Sequence, residues 1–264
     1  KTAEVIQYKD TRYAGDVIIP ATVTYKGVEY SVTSIAGSAF YWCKDLTSIT
    51  IGDNVKRIEN NAFRSCNSLT TITIPSSVTT VGSQAFLDCN LLNAVNITDL
   101  EAWNRILFFD WSSNPLAYAR HLYLNGEEVK DLVIPESVAC IRKFSFSGCS
   151  GLNTINIPES VTSIEDEAFN NCNGLTSIFI PKSVTSIWNT AFRYCSGLVS
   201  IKVENGNTNY DSRDDCNAIV ETATNTIVLG CQNTKIPSSV TKIGDSAFYG
   251  CLNLTTIHIP NSIT

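Results

Sequence analysis

The chain has 264 residues, of which 44% are hydrophobic and 17% are charged, and its formal net charge is −6. It contains no block of lysine and arginine, which disfavours nucleic acid and anionic membranes as partners. No apolar run approaches the length of a transmembrane helix, so we expect no direct insertion into a membrane.

The first 31 residues are predicted to form an N-terminal cap that includes part of a repeat. Asp16 to Pro20 read "DVIIP", which resembles the last strand of a repeat that has lost its beginning. Lys26-Gly27 is a turn signal between two short strand patterns. Because a stack of repeats exposes its core at each end, terminal segments of this kind are needed to cover it.

A 23-residue repeat occupies residues 32–264. Taking the opening valine as position 1, the copies begin at Val32, Val55, Val78, Val138, Val161, Val184 and Val240. Successive starts lie 23 residues apart except at two places, where insertions of about 98–134 and 204–236 keep the repeat in register. A period of this length with Leu-x-x-Ile-x-Ile spacing is typical of leucine-rich repeats.

Two periodicities within each copy predict its structure. Positions 15, 18 and 20 are apolar and end in an alternating pattern, which indicates a short strand with one buried face. Positions 8, 9 and 12 (Ala168, Phe169 and Cys172 in the fifth copy) have the spacing of one helical or 3-10 turn. We therefore predict an α/β fold: a right-handed solenoid with a parallel sheet on one face and short helical or 3-10 turns on the other.

Each insertion carries its own pattern. In the first, Thr98-x-x-Glu101 predicts a helix start, and Leu100, Trp103 and Leu107 provide an apolar face. Asn125-Gly126 then predicts a hairpin turn. This segment either covers the solenoid, which we favour, or grips a ligand. In the second insertion, two strand patterns flank Thr224-Asn225 and predict another hairpin.

The cysteines follow the repeat. Of ten cysteines, seven lie at position 12: Cys43, Cys66, Cys89, Cys149, Cys172, Cys195 and Cys251. Equivalent side chains in stacked coils are parallel, which is poor disulfide geometry, so we expect a ladder of buried thiols. Cys216 and Cys231 flank the second predicted hairpin and are either bonded to each other or buried separately.

The copy "VTSIEDEAFNNCNGLTSIFIPKS" (Val161 to Ser183) resembles the BspA-like leucine-rich repeats, the treponemal or type-5 class. The resemblance covers residues 32–264 with both insertions, and the fourth copy departs from it at Ser145, where the pattern has alanine. It implies a secreted or surface-anchored bacterial protein of the kind common in Bacteroides-like anaerobes and associated with adhesion to host or matrix proteins. The matching residues are structural ones, so they do not identify a partner.

No pattern in the sequence indicates catalysis. The only histidines, His121 and His258, lie far apart, and no phosphate-binding loop or metal-binding motif occurs. We expect no enzymatic activity, cofactor or metal. Two functions remain open: a binding or adhesion module for a protein or glycan, and a structural spacer within a larger surface protein. We expect a monomer.

The candidate binding face is the row of residues at position 19, which lies between buried positions 18 and 20 and must point outward. In the seven copies these are Thr50, Thr73, Asn96, Asn156, Phe179, Lys202 and His258. Phe179, Lys202 and His258 put recognition groups on what we predict to be successive coils, Asn156 precedes them, and Trp188 at position 5 is expected near the rim. Alternatively, Phe179 merely packs on its neighbours.

Overall fold

A computed structural model describes residues 1–7 and 12–264. Residues 8–11, within the predicted N-terminal cap, lie outside the described residues. The chain forms two compact units, Lys1–Val129 and Lys130–Thr264. Both are stacks of coils about 23 residues apart, which confirms the predicted solenoid. Among the described residues, no helix has the length and apolar character needed to cross a membrane.

The strands of the first unit alternate between two sheets as the chain winds. They are β1 (Thr2–Val5), β2 (Gly15–Ile19), β3 (Thr22–Tyr25), β4 (Val28–Ile35), β5 (Leu46–Ile51), β6 (Arg57–Ile58), β7 (Thr71–Thr73), β8 (Thr80–Val81), β9 (Ala94–Ile97), β10 (Leu107–Phe108), β11 (Leu122–Leu124) and β12 (Glu127–Glu128). The main sheet, formed by repeat positions 15–20, has the order β12-β11-β9-β7-β5-β2. A minor sheet, formed mostly by positions 3 and 4, has the order β1-β4-β6-β8-β10, with β3 antiparallel to β4.

The second unit repeats this arrangement with more interruption. Its strands are β13 (Asp131–Val133), β14 (Cys140–Ile141), β15 (Thr154–Asn156), β16 (Ser163–Ile164), β17 (Ser177–Ile180), β18 (Ser186–Ile187), β19 (Ser200–Val203), β20 (Tyr210–Asp211), β21 (Ala218–Glu221), β22 (Thr226–Gly230) and β23 (Lys242–Ile243). In the main sheet β13 pairs with β15 and β17 with β19, all parallel. β14, β16 and β18 form the minor sheet, and β20 to β22 of the second insertion form a four-stranded sheet with β23 of the last copy.

The predicted helical turn is a chain of tight turns rather than a helix. Backbone φ is positive at position 11 in all seven copies and at position 7 in six, as at Asn171 (63°) and Glu167 (52°), which interrupts any helix. Alternate N–H groups donate within the turn and to the next coil: Cys172 N–H donates to Phe169 O (3.3 Å), whereas Phe169 N–H donates to Ala191 O (2.8 Å). N–H groups that would donate within a helix therefore donate to carbonyl oxygens of the neighbouring coil.

Within each unit the core is built from side chains at equivalent repeat positions, and position 9 is phenylalanine in all seven copies. The phenylalanines at position 9 stack with ring centroids 5.5 Å apart for Phe146 and Phe169, and 5.2 Å apart for Phe169 and Phe192. Cys172 lies beside this column, and its thiol donates to Phe146 O in the preceding coil at 3.3 Å. Cys66, Cys89 and Cys195 make the same contact at 3.1–3.2 Å. Position 12 requires a small apolar side chain beside the phenylalanine rings and a donor for the carbonyl oxygen of the preceding coil. Cysteine provides both, because its thiol is small, apolar and a weak donor.

All ten cysteines are present as thiols, with eight of them buried. The Cys216 thiol donates to Ala218 O and the Cys231 thiol to Asn217 O, so the alternative of two separately buried thiols is the one that the structure adopts. In the fourth copy, Ser145 replaces alanine without an unsatisfied hydroxyl, because its Oγ donates to Arg142 O at 2.8 Å.

The first insertion contains a further coil that the sequence motif does not reveal. β10 pairs in parallel with β8 of the minor sheet, and β11 pairs in parallel with β9 of the main sheet, so residues 107–124 complete one more turn of the stack. Leu116 is buried where the ladder cysteine would lie. The sequence motif is absent from this coil, and its turns are formed by a 3-10 helix (Trp111–Ser113) and a short helix α2 (Leu116–Ala119).

The predicted helix of this insertion exists as α1 (Leu100–Arg105), but two details of its prediction were wrong. The helix is capped by Asp99, which accepts from Ala102 N–H at 2.9 Å, rather than by Thr98. Leu107 does not extend the apolar face: it is half exposed in β10, where the alternation of the strand buries Phe108 instead. The Asn125-Gly126 hairpin joins β11 to the antiparallel β12 as predicted.

Candidate functional site

The residues at position 19 point away from the core, as the alternation of the strand predicts. Phe179 is 46% exposed, whereas its neighbours Ile178 and Ile180 are 3% and 0% exposed. Lys202 has the same surroundings in β19, between buried Ile201 and Val203. These two side chains therefore extend from backbone that is fixed by the core beneath it.

The structure brings together part of the predicted site. Phe179 and Lys202 are direct partners in the parallel pair β17–β19, and Asn156 lies on β15, which is adjacent to β17. A parallel pair places such partners about 4.8 Å apart, so an aromatic ring and an ammonium group occupy adjacent positions on one face.

Two predicted residues lie elsewhere. Trp188 is 55% exposed but follows β18 in the minor sheet, so it does not belong to the face that carries Phe179. His258 is exposed, but residues 254–259 are not in a strand. No strand pair among the described residues places His258 beside Lys202, although the turns of their two copies are in contact, where Tyr194 N–H donates to Tyr249 O at 3.2 Å.

Sequence reasoning missed a cleft of about 800 Å³ beside Lys202. It lies where the second insertion leaves the main sheet, and it is lined by residues 200–207, 210–215, 217, 233 and 235. The only sequence signal for it is the interruption of the 23-residue period by a segment rich in asparagine and aspartate. A polar cleft of this size is in the range of small-ligand sites.

The floor of the cleft is the outer edge of β19. In the regular part of the main sheet the next strand would cover this edge, but here side chains from the insertion do so. Ile201 N–H donates to Asn217 Oδ1 at 2.6 Å, and Val203 N–H donates to Ser212 Oγ at 3.0 Å. The backbone donors of this edge are therefore already satisfied.

The wall of the cleft is held by an arginine–aspartate pair. Arg213 Nε donates to Asp211 Oδ1 and its Nη2 to Asp211 Oδ2, both at 2.8 Å, and Nη1 donates to Asn225 Oδ1 at 2.7 Å. These hydrogen bonds to Asp211 raise the pKa of Arg213 above its ordinary value. The guanidinium is therefore a structural cation that stays charged and fixes the loop.

Two further contacts anchor the cleft to the preceding coil. The buried Tyr210 hydroxyl accepts from Ile187 N–H at 2.9 Å, and burial raises the pKa of the phenol. Glu204 Oε2 accepts from Lys182 N–H at 2.8 Å, and this bond holds the pKa of the carboxyl below its usual value. Both groups are thus occupied by the scaffold.

Four charged groups of the lining remain available to a ligand. Lys202, Lys235, Asp214 and Asp215 are exposed, and within the described residues none of them forms an ion pair or hydrogen bond through its side chain. The same described part of the chain contains no group of three histidine, cysteine, aspartate or glutamate residues that could hold a metal ion. The arrangement can form hydrogen bonds to a polar ligand.

The coil geometry and the repeat define a leucine-rich-repeat protein. The sequence model of the family described as "BspA type Leucine rich repeat region" matches six copies over residues 22–113, 119–221 and 227–264. The chain therefore belongs to the BspA-type leucine-rich-repeat family, as the resemblance indicated. No protein of curated function matches the chain.

The solved structures that are similar to this chain include those of two bacterial leucine-rich-repeat proteins. A leucine-rich cell surface protein from Faecalibacterium prausnitzii A2-165 is 31% identical, with a TM-score of 0.68, over 99% of this chain and 67% of its own. A leucine-rich repeat protein from Bacteroides ovatus ATCC 8483 is 29% identical, with a TM-score of 0.53, over 94% of this chain and 58% of its own. The chain thus spans little more than half the length of the second relative.

Proposed function

We propose that this chain is a non-enzymatic binding or adhesion module of a bacterial surface protein, exposed outside the cell. The observation that carries the proposal is the Phe179–Lys202 pair, which presents an aromatic ring and a cation on adjacent strands beside an open polar cleft. Aromatic rings on a rigid scaffold are effective recognition groups because they bury a large area at little cost in conformational entropy. The relative from Faecalibacterium is described as a cell surface protein, which supports the localisation.

The test is a capture experiment with the purified chain against host matrix proteins and immobilised glycans. The double variant Phe179→Ala with Lys202→Ala is expected to lose capture, and its melting temperature should stay nearly unchanged because both side chains are exposed. The matched control is Thr50→Ala with Thr73→Ala, two position-19 residues of the first unit that are also register partners. Equal loss in the control, or unaltered capture by the Phe179–Lys202 variant, would contradict the proposal.

A structural spacer is the second candidate function. It is favoured by the position-19 residues of the regular coils in the first unit, where Thr50, Thr73 and Asn96 offer neither an aromatic ring nor a charge. A spacer is expected to capture nothing in the same screen. That result would favour this second candidate.

A further inference from the structure

The backbone of the cleft disfavours one common mode of ligand binding. An extended peptide binds to a sheet edge by forming main-chain hydrogen bonds with unpaired donors and acceptors. At β19, the donors of Ile201 and Val203 are already bonded to Asn217 and Ser212. Strand addition would have to displace both bonds, which favours recognition by side chains at this edge.

The charges of the cleft also limit its ligand. The lining contains three cationic side chains and four anionic ones, which leaves a net charge of only −1. Arg213 is neutralised by Asp211, and Glu204 lies 3.9 Å from the Lys182 ammonium group. What remains is two lysines and two aspartates, so neither a strongly anionic nor a strongly cationic ligand is favoured.

Donors and acceptors are both available within the same cleft. The ammonium groups of Lys202 and Lys235 donate only, and the carboxylates of Asp214 and Asp215 accept only. A hydroxyl group can do both, so a ligand rich in hydroxyls can satisfy all four at once. The described lining contains one aromatic residue, Tyr210, which is buried, so a flat apolar ligand finds no platform inside the cleft.

The apolar platform lies next to the cleft, at Phe179. Its exposed ring is the register partner of Lys202, which is itself part of the lining. A sugar ring has an apolar C–H face and a hydroxyl-bearing edge, and this combination matches an aromatic ring beside a polar cleft. We propose that the cleft binds a neutral oligosaccharide, with hydroxyl groups between the lysines and aspartates and one ring face on Phe179.

The backbone of the cleft is held by contacts within the chain itself, which lowers the entropic cost of binding. Asp214, Asp215 and Asn217 have φ values of 54°, 49° and 56°, a conformation that aspartate and asparagine tolerate better than most residues. The loop that contains them is anchored by the Arg213 pair and by the Ser212 hydroxyl, which donates to Ala218 O at 2.8 Å. The two free carboxylates therefore project from fixed backbone.

This inference rests on the proposed binding function and adds the ligand class, so its test uses different variants. The intact chain is titrated by calorimetry and on an array with neutral gluco-, manno- and galacto-oligosaccharides. Sialylated and sulfated glycans, and extended peptides, are the comparators. The test variant is Asp214→Asn with Lys235→Ala, because asparagine preserves the left-handed turn while removing the charge. The control is Asp53→Asn with Lys56→Ala, an exposed pair of the same types in the first unit.

We expect at least one neutral oligosaccharide to bind, with an affinity about tenfold or more weaker in the test variant and unchanged in the control. Absence of binding to every neutral oligosaccharide, or a preference for sulfated or sialylated forms, would overturn the saccharide inference. If Phe179→Ala with Lys202→Ala abolishes capture of a matrix protein while no saccharide binds, the saccharide inference fails and the proposed binding function stands. Equal weakening in test and control variants would also overturn the assignment to the cleft.

Discussion

The regular coils of the first unit and the interrupted coil of the second differ in which groups hydrogen-bond to the edge of a main-sheet strand. β5, β7 and β9 each have a parallel strand on both sides, so the stack itself uses their backbone hydrogen-bonding groups. β19 has β17 on one side only, and its other edge is covered by Asn217 and Ser212. Perfect repetition thus produces a closed surface, and the interruption of the repeat produces the cleft.

The largest expected effect concerns what the two units share, the phenylalanine column. Phe169→Ala should lower the free energy of unfolding by about 3–5 kcal/mol, because the ring is fully buried between Phe146 and Phe192 and leaves a cavity. Phe248→Ala, in the last described coil, should cost less because Phe248 is only partly buried. Urea unfolding of both variants measures the difference, and equal costs would contradict a column that depends on neighbours on both sides.

A second, smaller effect distinguishes the interrupted coil. Tyr210→Phe removes the hydroxyl that accepts from Ile187 N–H and should cost about 1–3 kcal/mol, because a half-buried donor loses its partner. In regular coils that role belongs to backbone groups. The control is Tyr123→Phe, a half-buried tyrosine of β11, for which we expect less than about 0.5 kcal/mol. A similar cost for both variants, measured by urea unfolding, would show that the hydroxyl does not anchor the insertion.

Because of the thiol ladder, the free energy of unfolding should depend on pH in the alkaline range. Burial raises the pKa of Cys89 from its ordinary value of 9.0 to about 12, so between these values the unfolded chain releases a proton that the folded chain retains. The stabilisation is complete below pH 9 and is lost as the pH rises toward 12. Between pH 8 and pH 10 the titration of this thiol should lower the free energy of unfolding by about 1.4 kcal/mol.

The measurement is urea unfolding under reducing conditions at both pH values, for the parent chain and for Cys89→Ala. The difference between the two proteins isolates this thiol from tyrosines and lysines that titrate in the same range. The substitution itself destabilises the core, but that cost is the same at both pH values. An identical pH dependence in the two proteins would refute a raised pKa at Cys89.

The smallest expected effect on stability belongs to the cleft itself. Asp214→Asn with Lys235→Ala should change the free energy of unfolding by less than about 0.5 kcal/mol, because both side chains are exposed and unpaired within the described residues. A cost above about 1 kcal/mol in urea unfolding would mean that these charges serve the fold.

The structural features that depend only on the periodicity of the sequence were predicted best. Positions 18 and 20 are buried and position 19 is exposed because a strand with one covered face allows nothing else, and Ile178, Phe179 and Ile180 follow that rule. The turns were less predictable, because whether an N–H donates within its own turn or to the next coil depends on a carbonyl group 22 residues further along the chain. Phe169 N–H, which donates to Ala191, shows that choice.

The hidden coil and the cleft could not be predicted for a related reason. In residues 107–124 the buried positions are retained with other residue types, as where Leu116 takes the place of a cysteine, so the motif disappears while the packing remains. The cleft depends on Asn217 reaching back to Ile201, sixteen residues earlier, and no local pattern encodes that contact.

The thiol column has a consequence for chemical durability. The thiols of Cys66, Cys89, Cys172 and Cys195 are buried, and each donates to a carbonyl oxygen of the coil before it, as Cys172 does to Phe146 O. Since the attacking species in disulfide exchange and oxidation is the exposed thiolate, both reactions must wait for a coil to open. In an oxidising medium the lifetime of these thiols is therefore set by the rate of local unfolding of the coils. The thiols resist oxidation for as long as the coils remain folded.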